Sequence, residues 1–103
     1  MTMTELAPQT QALLDEAASL LDAIGAADAA SVPPDVVVLC LLAANNLELT
    51  GGHARRAPLI DGDPRATIRA AMTALSQLDL DTFGEQPVLE AAQSARRALR
   101  LMG

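Results

Sequence analysis

Aromatic residues, lysine and cysteine are nearly missing from this chain of 103 residues. Phe83 is its single aromatic residue, Cys40 is its single cysteine, and lysine does not occur. One thiol excludes an intramolecular disulfide and a metal site built from several thiolates. Without Trp or Tyr, the chain has no stacking platform for bases or sugars and lacks the commonest anchors of protein interfaces.

Positive charge is scarce as well. Seven basic residues stand against 13 acidic ones, so the formal net charge is −6. This is the wrong sign for a protein that gathers nucleic-acid phosphates or anionic lipids, and we expect no nucleic-acid partner. All the basic residues are arginine, and alanine and leucine are in excess, which favours a high-GC bacterial genome as the source.

Long hydrophobic runs are missing too. The longest unbroken run extends from Val36 to Ala44, far short of the roughly 20 residues that cross a bilayer. The chain begins Met-Thr-Met-Thr, with no basic stretch ahead of an apolar one, so no secretory signal is visible. We therefore expect no membrane partner and a cytoplasmic protein.

Aliphatic residues are abundant, since half of the chain is hydrophobic, and the length fits one helical domain over residues 1–103. Apolar residues at steps of three and four predict a first, amphipathic helix. Asp15 and Ser19 take its opposite face, and Gly25 is placed to end it in the left-handed conformation. The apolar positions are Leu6, Leu13, Leu14, Ala17, Leu20, Leu21 and Ile24.

A second helix is predicted from Pro34 to Leu49, and its central run is apolar on every side. The β-branched opening of the run suits a buried strand, but the signal continues too long for a typical strand, and no second strand candidate exists. A helix without a polar face must be central or covered by another subunit. We expect its interface to include Val37, Cys40, Leu41 and Ala44.

A long connection over residues 50–62 precedes a third helix, which Asp63 caps and which continues to Leu78. After a turn over residues 79–84, a fourth helix begins near Pro87. Four helices of roughly 15 to 20 residues with short links predict an all-α, compact, antiparallel and self-associating bundle.

Catalytic motifs are missing. The chain has no nucleophile motif and no phosphate-binding glycine pattern, and its one histidine, His53, has no acidic residue close in sequence to orient it. Cys40 lies in an apolar run, which predicts a buried and unreactive thiol. The segment Asp61-Gly62-Asp63 lacks the remaining ligands of a calcium loop. We expect no enzyme, no cofactor and no metal site.

One basic cluster has two interpretations; it consists of His53, Arg55, Arg56, Arg65 and Arg69. Arginine near a helix N-terminus opposes the helix dipole, so the cluster predicts a site for a small phosphate or carboxylate. Alternatively, Asp61 and Asp63 neutralise Arg65 and Arg69, and the other members of the cluster are simply solvated.

The sequence therefore predicts a small, acidic, non-enzymatic protein that acts as an interaction, adaptor or regulatory module. We expect it to form a homodimer with two-fold symmetry through its second helix, and to bind another protein as a further partner. The alternative is a domain that binds or senses a small anionic ligand at the loop between the second and third helices.

Overall fold

A computed structural model of the chain describes residues 7–27 and 32–102. Over these ranges the protein is all-α, as predicted, and contains no β-strand. The predicted helical position Leu6 lies outside the described residues. The helices are α1 (Pro8–Gly25), α2 (Pro34–Leu49), α3 (Pro64–Ser76), the single turn α4 (Leu80–Phe83) and α5 (Gln86–Leu101), with a 3-10 turn at Ile60–Gly62.

The starts of the helices follow the sequence signals. Every long helix carries proline in its first turn, where the missing N–H has no intrahelical partner to lose. The side chain of Asp63 caps α3 by accepting the backbone N–H of Arg65 at 3.0 Å, as predicted. The predicted turn after α3 contains the short α4, because Asp79 caps it by accepting the backbone N–H of Thr82 at 3.0 Å.

The four long helices pack in the cyclic order α1, α2, α5, α3, so that each helix contacts two neighbours. Neighbouring helices run in opposite directions, which gives the predicted antiparallel bundle. As a result α2 and α3 lie on a diagonal and run the same way. Three hydrogen bonds between helix ends record the directions: Gln11 Nε2 to Gly51 O (2.8 Å), Arg65 Nη2 to Met102 O (2.7 Å) and Thr10 Oγ1 to Asp79 Oδ1 (3.5 Å).

A long connection follows from this topology, because the chain must travel back along the bundle between two helices that point the same way. Residues 51–59, here called the return segment, do this in a non-helical conformation along α1. Three polar side chains of α1 bind it at intervals of one helical turn. Gln11 Nε2 donates to Gly51 O, Asp15 Oδ1 accepts the N–H of His53, and Ser19 Oγ accepts the N–H of Arg55, each at 2.8 Å.

The spacing of these bonds has a geometric cause. One helical turn rises about 5.4 Å, and two residues of extended chain span about 6.6 Å, so alternate residues of the segment meet successive turns of α1. The polar face of α1 is therefore not left entirely to solvent. Asp15 is the centre of this contact, since it also accepts a hydrogen bond from Gln11 Nε2 at 2.8 Å.

Gly25 does not end α1 in the way the sequence predicts. It stays in the right-handed helix, and Ala26 caps the helix with φ −91°, so the predicted left-handed stop is wrong. A Cβ at residue 25 would collide with the side chain of Leu41. Glycine thus lets the side chain of Leu41 lie directly against α1, and a positive φ occurs instead at Gly51, where α2 ends (φ 110°).

The core is aliphatic, as the composition predicts, and alanine allows the helices to approach closely. Phe83 is partly buried against it. Thr67 is a buried polar residue, and its hydroxyl is satisfied twice: it donates to Asp63 O and accepts the N–H of Ile60, both at 2.8 Å. None of the helices described, over residues 7–27 and 32–102, is long and apolar enough to span a membrane.

We predict that Asp15→Ala lowers the free energy of unfolding by about 1 kcal/mol, because it removes the charged acceptor of the His53 N–H and of Gln11 Nε2. Urea denaturation followed by circular dichroism measures the change. Glu16→Ala is the matched control, since Glu16 is an exposed acid on the same helix. Equal effects of the two substitutions would contradict the structural role of Asp15.

Candidate functional site

The second helix divides into a buried side and an exposed side that is mostly aliphatic but also carries Asp35, Asn45 and Glu48. The buried side faces α1 and α5 and consists of Val36, Cys40, Ala43, Ala44 and Leu47. On the exposed side, residues recur at helical spacing. Five of them are here called the outward face: Val38, Leu41, Leu42, Asn45 and Leu49. Its four aliphatic members keep large exposed fractions: Val38 55%, Leu41 42%, Leu42 51% and Leu49 70%.

This exposure follows from the sequence and the packing together. A helix with two neighbours in a bundle can bury about half of its circumference, so an all-apolar helix must leave aliphatic side chains on the other half. Leu101, at the end of α5, extends the apolar surface with 49% of its side chain exposed. The largest contiguous apolar patch on a soluble monomer measures roughly 300–600 Å² and is often functional.

A groove lies at the N-terminal end of the outward face, between the start of α2 and the end of α5. It has a volume of about 330 Å³ and opens to solvent. Val38, Leu39 and Leu101 give it apolar walls, and Asp35 and Arg97 place one charge of each sign in its lining. The groove is therefore suited to an aliphatic side chain that is accompanied by a charged neighbour.

The four residues predicted for the interface do not share one side of α2. Leu41 lies on the outward face and Val37 is partly buried, whereas Cys40 (0% exposed) and Ala44 (4%) are inside the core. The interface itself stays a prediction, and its accessible members are other residues. Sequence reasoning missed Val38, Leu42 and Leu49, because a run without polar residues does not indicate which side of the helix meets its neighbours.

The thiol of Cys40 has no activating environment. Burial raises its pKa from 9.0 to about 12, since a thiolate loses its hydration in the apolar core. A nucleophilic or redox cysteine requires the opposite, a lowered pKa and access to solvent. Cys40 thus acts as a small core residue.

The members of the basic cluster that form hydrogen bonds form them with different helices. His53 and Arg55 are exposed, and their backbone N–H groups bind α1. The guanidinium of Arg65 lies at the end of α5, where Nη2 donates to Met102 O at 2.7 Å. Arg56 and Arg69 are exposed. Anion binding by these residues stays a prediction, and Arg65 already has a structural partner.

Metal-ligating side chains do not gather in the part of the chain that the structure describes. Among residues 7–27 and 32–102, no three His, Cys, Asp or Glu side chains form a group able to hold a metal ion. Asp61 and Asp63 serve local structure instead. Asp63 caps α3, and Asp61 adopts a left-handed conformation (φ 52°) in the 3-10 turn before it.

We predict that Cys40 reacts with iodoacetamide far more slowly in the native protein than in urea, because the native thiol is buried and protonated at pH 8. The native pKa of about 12 exceeds the ordinary value of 9.0. The neutral thiol is the form that the core accommodates, so the contribution of buried Cys40 to the free energy of unfolding is complete below pH 9. It is lost as the pH rises from 9 toward 12, because the unfolded chain then ionises the thiol first. Equal alkylation rates in the two states, measured by mass spectrometry, would contradict the burial.

We also predict that Arg65→Ala lowers the free energy of unfolding by about 1–2 kcal/mol, because the charged hydrogen bond to the C-terminal carbonyl of α5 is lost. Arg69→Ala, one turn further along α3, removes the same charge from an exposed position and serves as the control. Chemical denaturation of both variants measures the difference. A larger loss for the Arg69 variant would exclude the role assigned to Arg65.

Comparison of the chain with protein-family models, with curated proteins and with solved structures found no match. The function of the protein is therefore inferred from its own side chains. These offer an exposed aliphatic face on α2, a groove of mixed charge at one end of that face, and a buried thiol without an activating neighbour.

Proposed function

We propose that the protein is a non-enzymatic interaction module that binds a second protein surface through the outward face of α2, and that this surface is a second copy of the chain. The observation that carries the proposal is the exposure of Val38, Leu41, Leu42 and Leu49 on one side of one helix. Covering this side with a second apolar surface removes it from water.

Removal of this face from water favours association. Each Å² of apolar surface that is removed from water contributes about 25 cal/mol, and this contribution opposes the loss of rotational and translational freedom on association. The aliphatic side chains also sit on a rigid helix that is anchored on its other side in the core. Little conformational entropy is therefore lost when a partner helix packs against them.

Two further observations support an interaction role over catalysis. The only cysteine is buried and has a pKa raised to about 12, which is unsuited to a nucleophile. The only histidine, His53, lies exposed on the return segment. The backbone N–H of His53 donates a hydrogen bond to Asp15, and this contact holds the return segment on α1.

A homodimer is the simplest use of such a surface. A two-fold axis brings the same face of both chains together, so one patch supplies both halves of the interface. Other proteins that expose a complementary aliphatic helix are further partners of the same face, because helix-in-groove recognition uses residues at helical spacing of the kind found here.

We predict that the wild-type protein is a dimer with twice the 10.7 kDa mass of the chain, and that Leu42→Asp converts it to a monomer. A charge at the centre of the interface would be desolvated without a partner, which opposes association. Multi-angle light scattering after size exclusion measures the mass, and circular dichroism checks that the variant is folded.

Leu80→Asp is the matched control, because Leu80 is 87% exposed but belongs to α4 and not to the outward face of α2. We expect this variant to remain a dimer. A monomeric wild-type protein at high micromolar concentration would overturn the proposed function. So would a dimer that tolerates Leu42→Asp and is broken by Leu80→Asp.

A further inference from the structure

We propose that the return segment is a site of limited proteolysis, at which an arginine-specific serine protease hydrolyses the bond between Arg56 and Ala57 and leaves the folded bundle in two chains. Water adds across this peptide bond, which gives a carboxylate on Arg56 and an amine on Ala57. The inference concerns the return segment and not the outward face, so it does not depend on dimer formation.

The distribution of arginine along the chain singles out one place. Trypsin-like proteases select a basic residue, because an acidic group in their specificity pocket binds the cation. All seven basic residues of this chain are arginine, and residues 1–6, 28–31 and 103 contain none of them. Arg55 and Arg56 lie on the non-helical return segment. The other five lie in α3 and α5: Arg65, Arg69, Arg96, Arg97 and Arg100.

The conformation of the return segment suits a protease. A protease binds its substrate as an extended strand whose backbone groups form hydrogen bonds with the enzyme. An arginine within a helix must first leave that helix, because its backbone groups are bonded to neighbouring turns. Arg55 and Arg56 are non-helical and their side chains are exposed. They can therefore enter an active site with little change of the surrounding structure.

The hydrogen bonds to α1 distinguish the two candidate bonds. His53 and Arg55 direct their N–H groups to α1, where side chains accept them at 2.8 Å. In extended chain, alternate residues direct these groups to opposite sides, so those of Ala54 and Arg56 point away from α1. A serine protease bonds the backbone of the arginine that it cleaves and of the residue two positions earlier. For cleavage after Arg56, these are the two residues that point away from α1.

The bond after Arg56 also lies in a span between two anchors. The hydrogen bonds to α1 end at Arg55. The next hydrogen bond to a helix is that of Ile60, whose N–H donates to Thr67 Oγ1 in α3 at 2.8 Å. Pro58, between these anchors, is exposed and has no N–H to donate. Local opening of this span disturbs little of the fold, which is the condition for cleavage of a native protein.

The cut protein remains a bundle. Fragment 1–56 contains α1 and α2, and fragment 57–103 contains α3, α4 and α5. The packed pairs α1 with α3 and α2 with α5 each join a helix of one fragment to a helix of the other. Hydrolysis therefore removes the covalent link and keeps the core. Folding of the cut protein becomes a reaction between two chains, so its thermal stability depends on its concentration.

Digestion of the native protein with a low concentration of trypsin tests the site. We expect fragments 1–56 and 57–103 to appear together in the mass spectrum, at a rate at least about a hundredfold greater than any cleavage in α3 or α5. The two fragments should elute together in size exclusion and keep the helical circular dichroism. A first cleavage within α3 or α5, or fragments that separate and unfold, overturns the proposal.

Two variants test the assigned arginine. Arg56→Gln removes the basic side chain from the cleaved position, and we expect loss of the intact chain to slow about tenfold, with the remaining cleavage after Arg55. Arg69→Gln is the matched control, because Arg69 is equally exposed but lies in α3. It should be cleaved as fast as the wild type. Equal rates for the two variants overturn the assignment of Arg56.

A third variant tests why the bond after Arg56 is preferred. Ser19→Ala removes the acceptor of the Arg55 N–H, so we expect the fraction of product cut after Arg55 to rise about threefold or more. Ser94→Ala, which changes a half-buried serine on α5, is the control and should leave the fraction unchanged. An unchanged fraction for Ser19→Ala contradicts selection of the bond by the contact with α1.

Discussion

A helix in a four-helix bundle has only two neighbours, and this limit determines what α2 presents to solvent. Its central run, Val36 to Ala44, is apolar around the whole circumference, while α1 and α5 cover only one side of the helix. Aliphatic side chains therefore remain exposed however well the core packs. The outward face and the groove therefore both result from the position of α2, whose apolar run packs against α1 and α5 on one side only.

The polar side chains of α1 perform the complementary task of holding irregular backbone. The diagonal placement of α2 and α3 requires a return segment, and extended backbone needs hydrogen-bond partners. Gln11, Asp15 and Ser19 supply them at successive turns. The polar face of α1 thus contributes to the fold beside its aliphatic face.

The sequence predicted the fold class and the long helices because their signals are local: periodicity, proline in the first turn, and the Asp63 cap. It did not predict that Asp15 and Ser19 bind the return segment, since that contact joins residues 36 and 38 positions apart. Nor did it predict that Cys40 is buried and Val38 exposed, because the neighbouring helices decide which residues of an all-apolar run are buried. The groove was also hidden, as Arg97 and Asp35 meet only after α2 and α5 pack.

The contact between Gly25 and Leu41 has a consequence for how the protein can change. Leu41 lies against the backbone of α1 and is also part of the exposed surface of α2. Any side chain introduced at residue 25 would force Leu41 into another position, so that the exposed surface of α2 would change shape without itself being mutated. The contact of α1 with α2 and the shape of the outward face are therefore linked through one side chain.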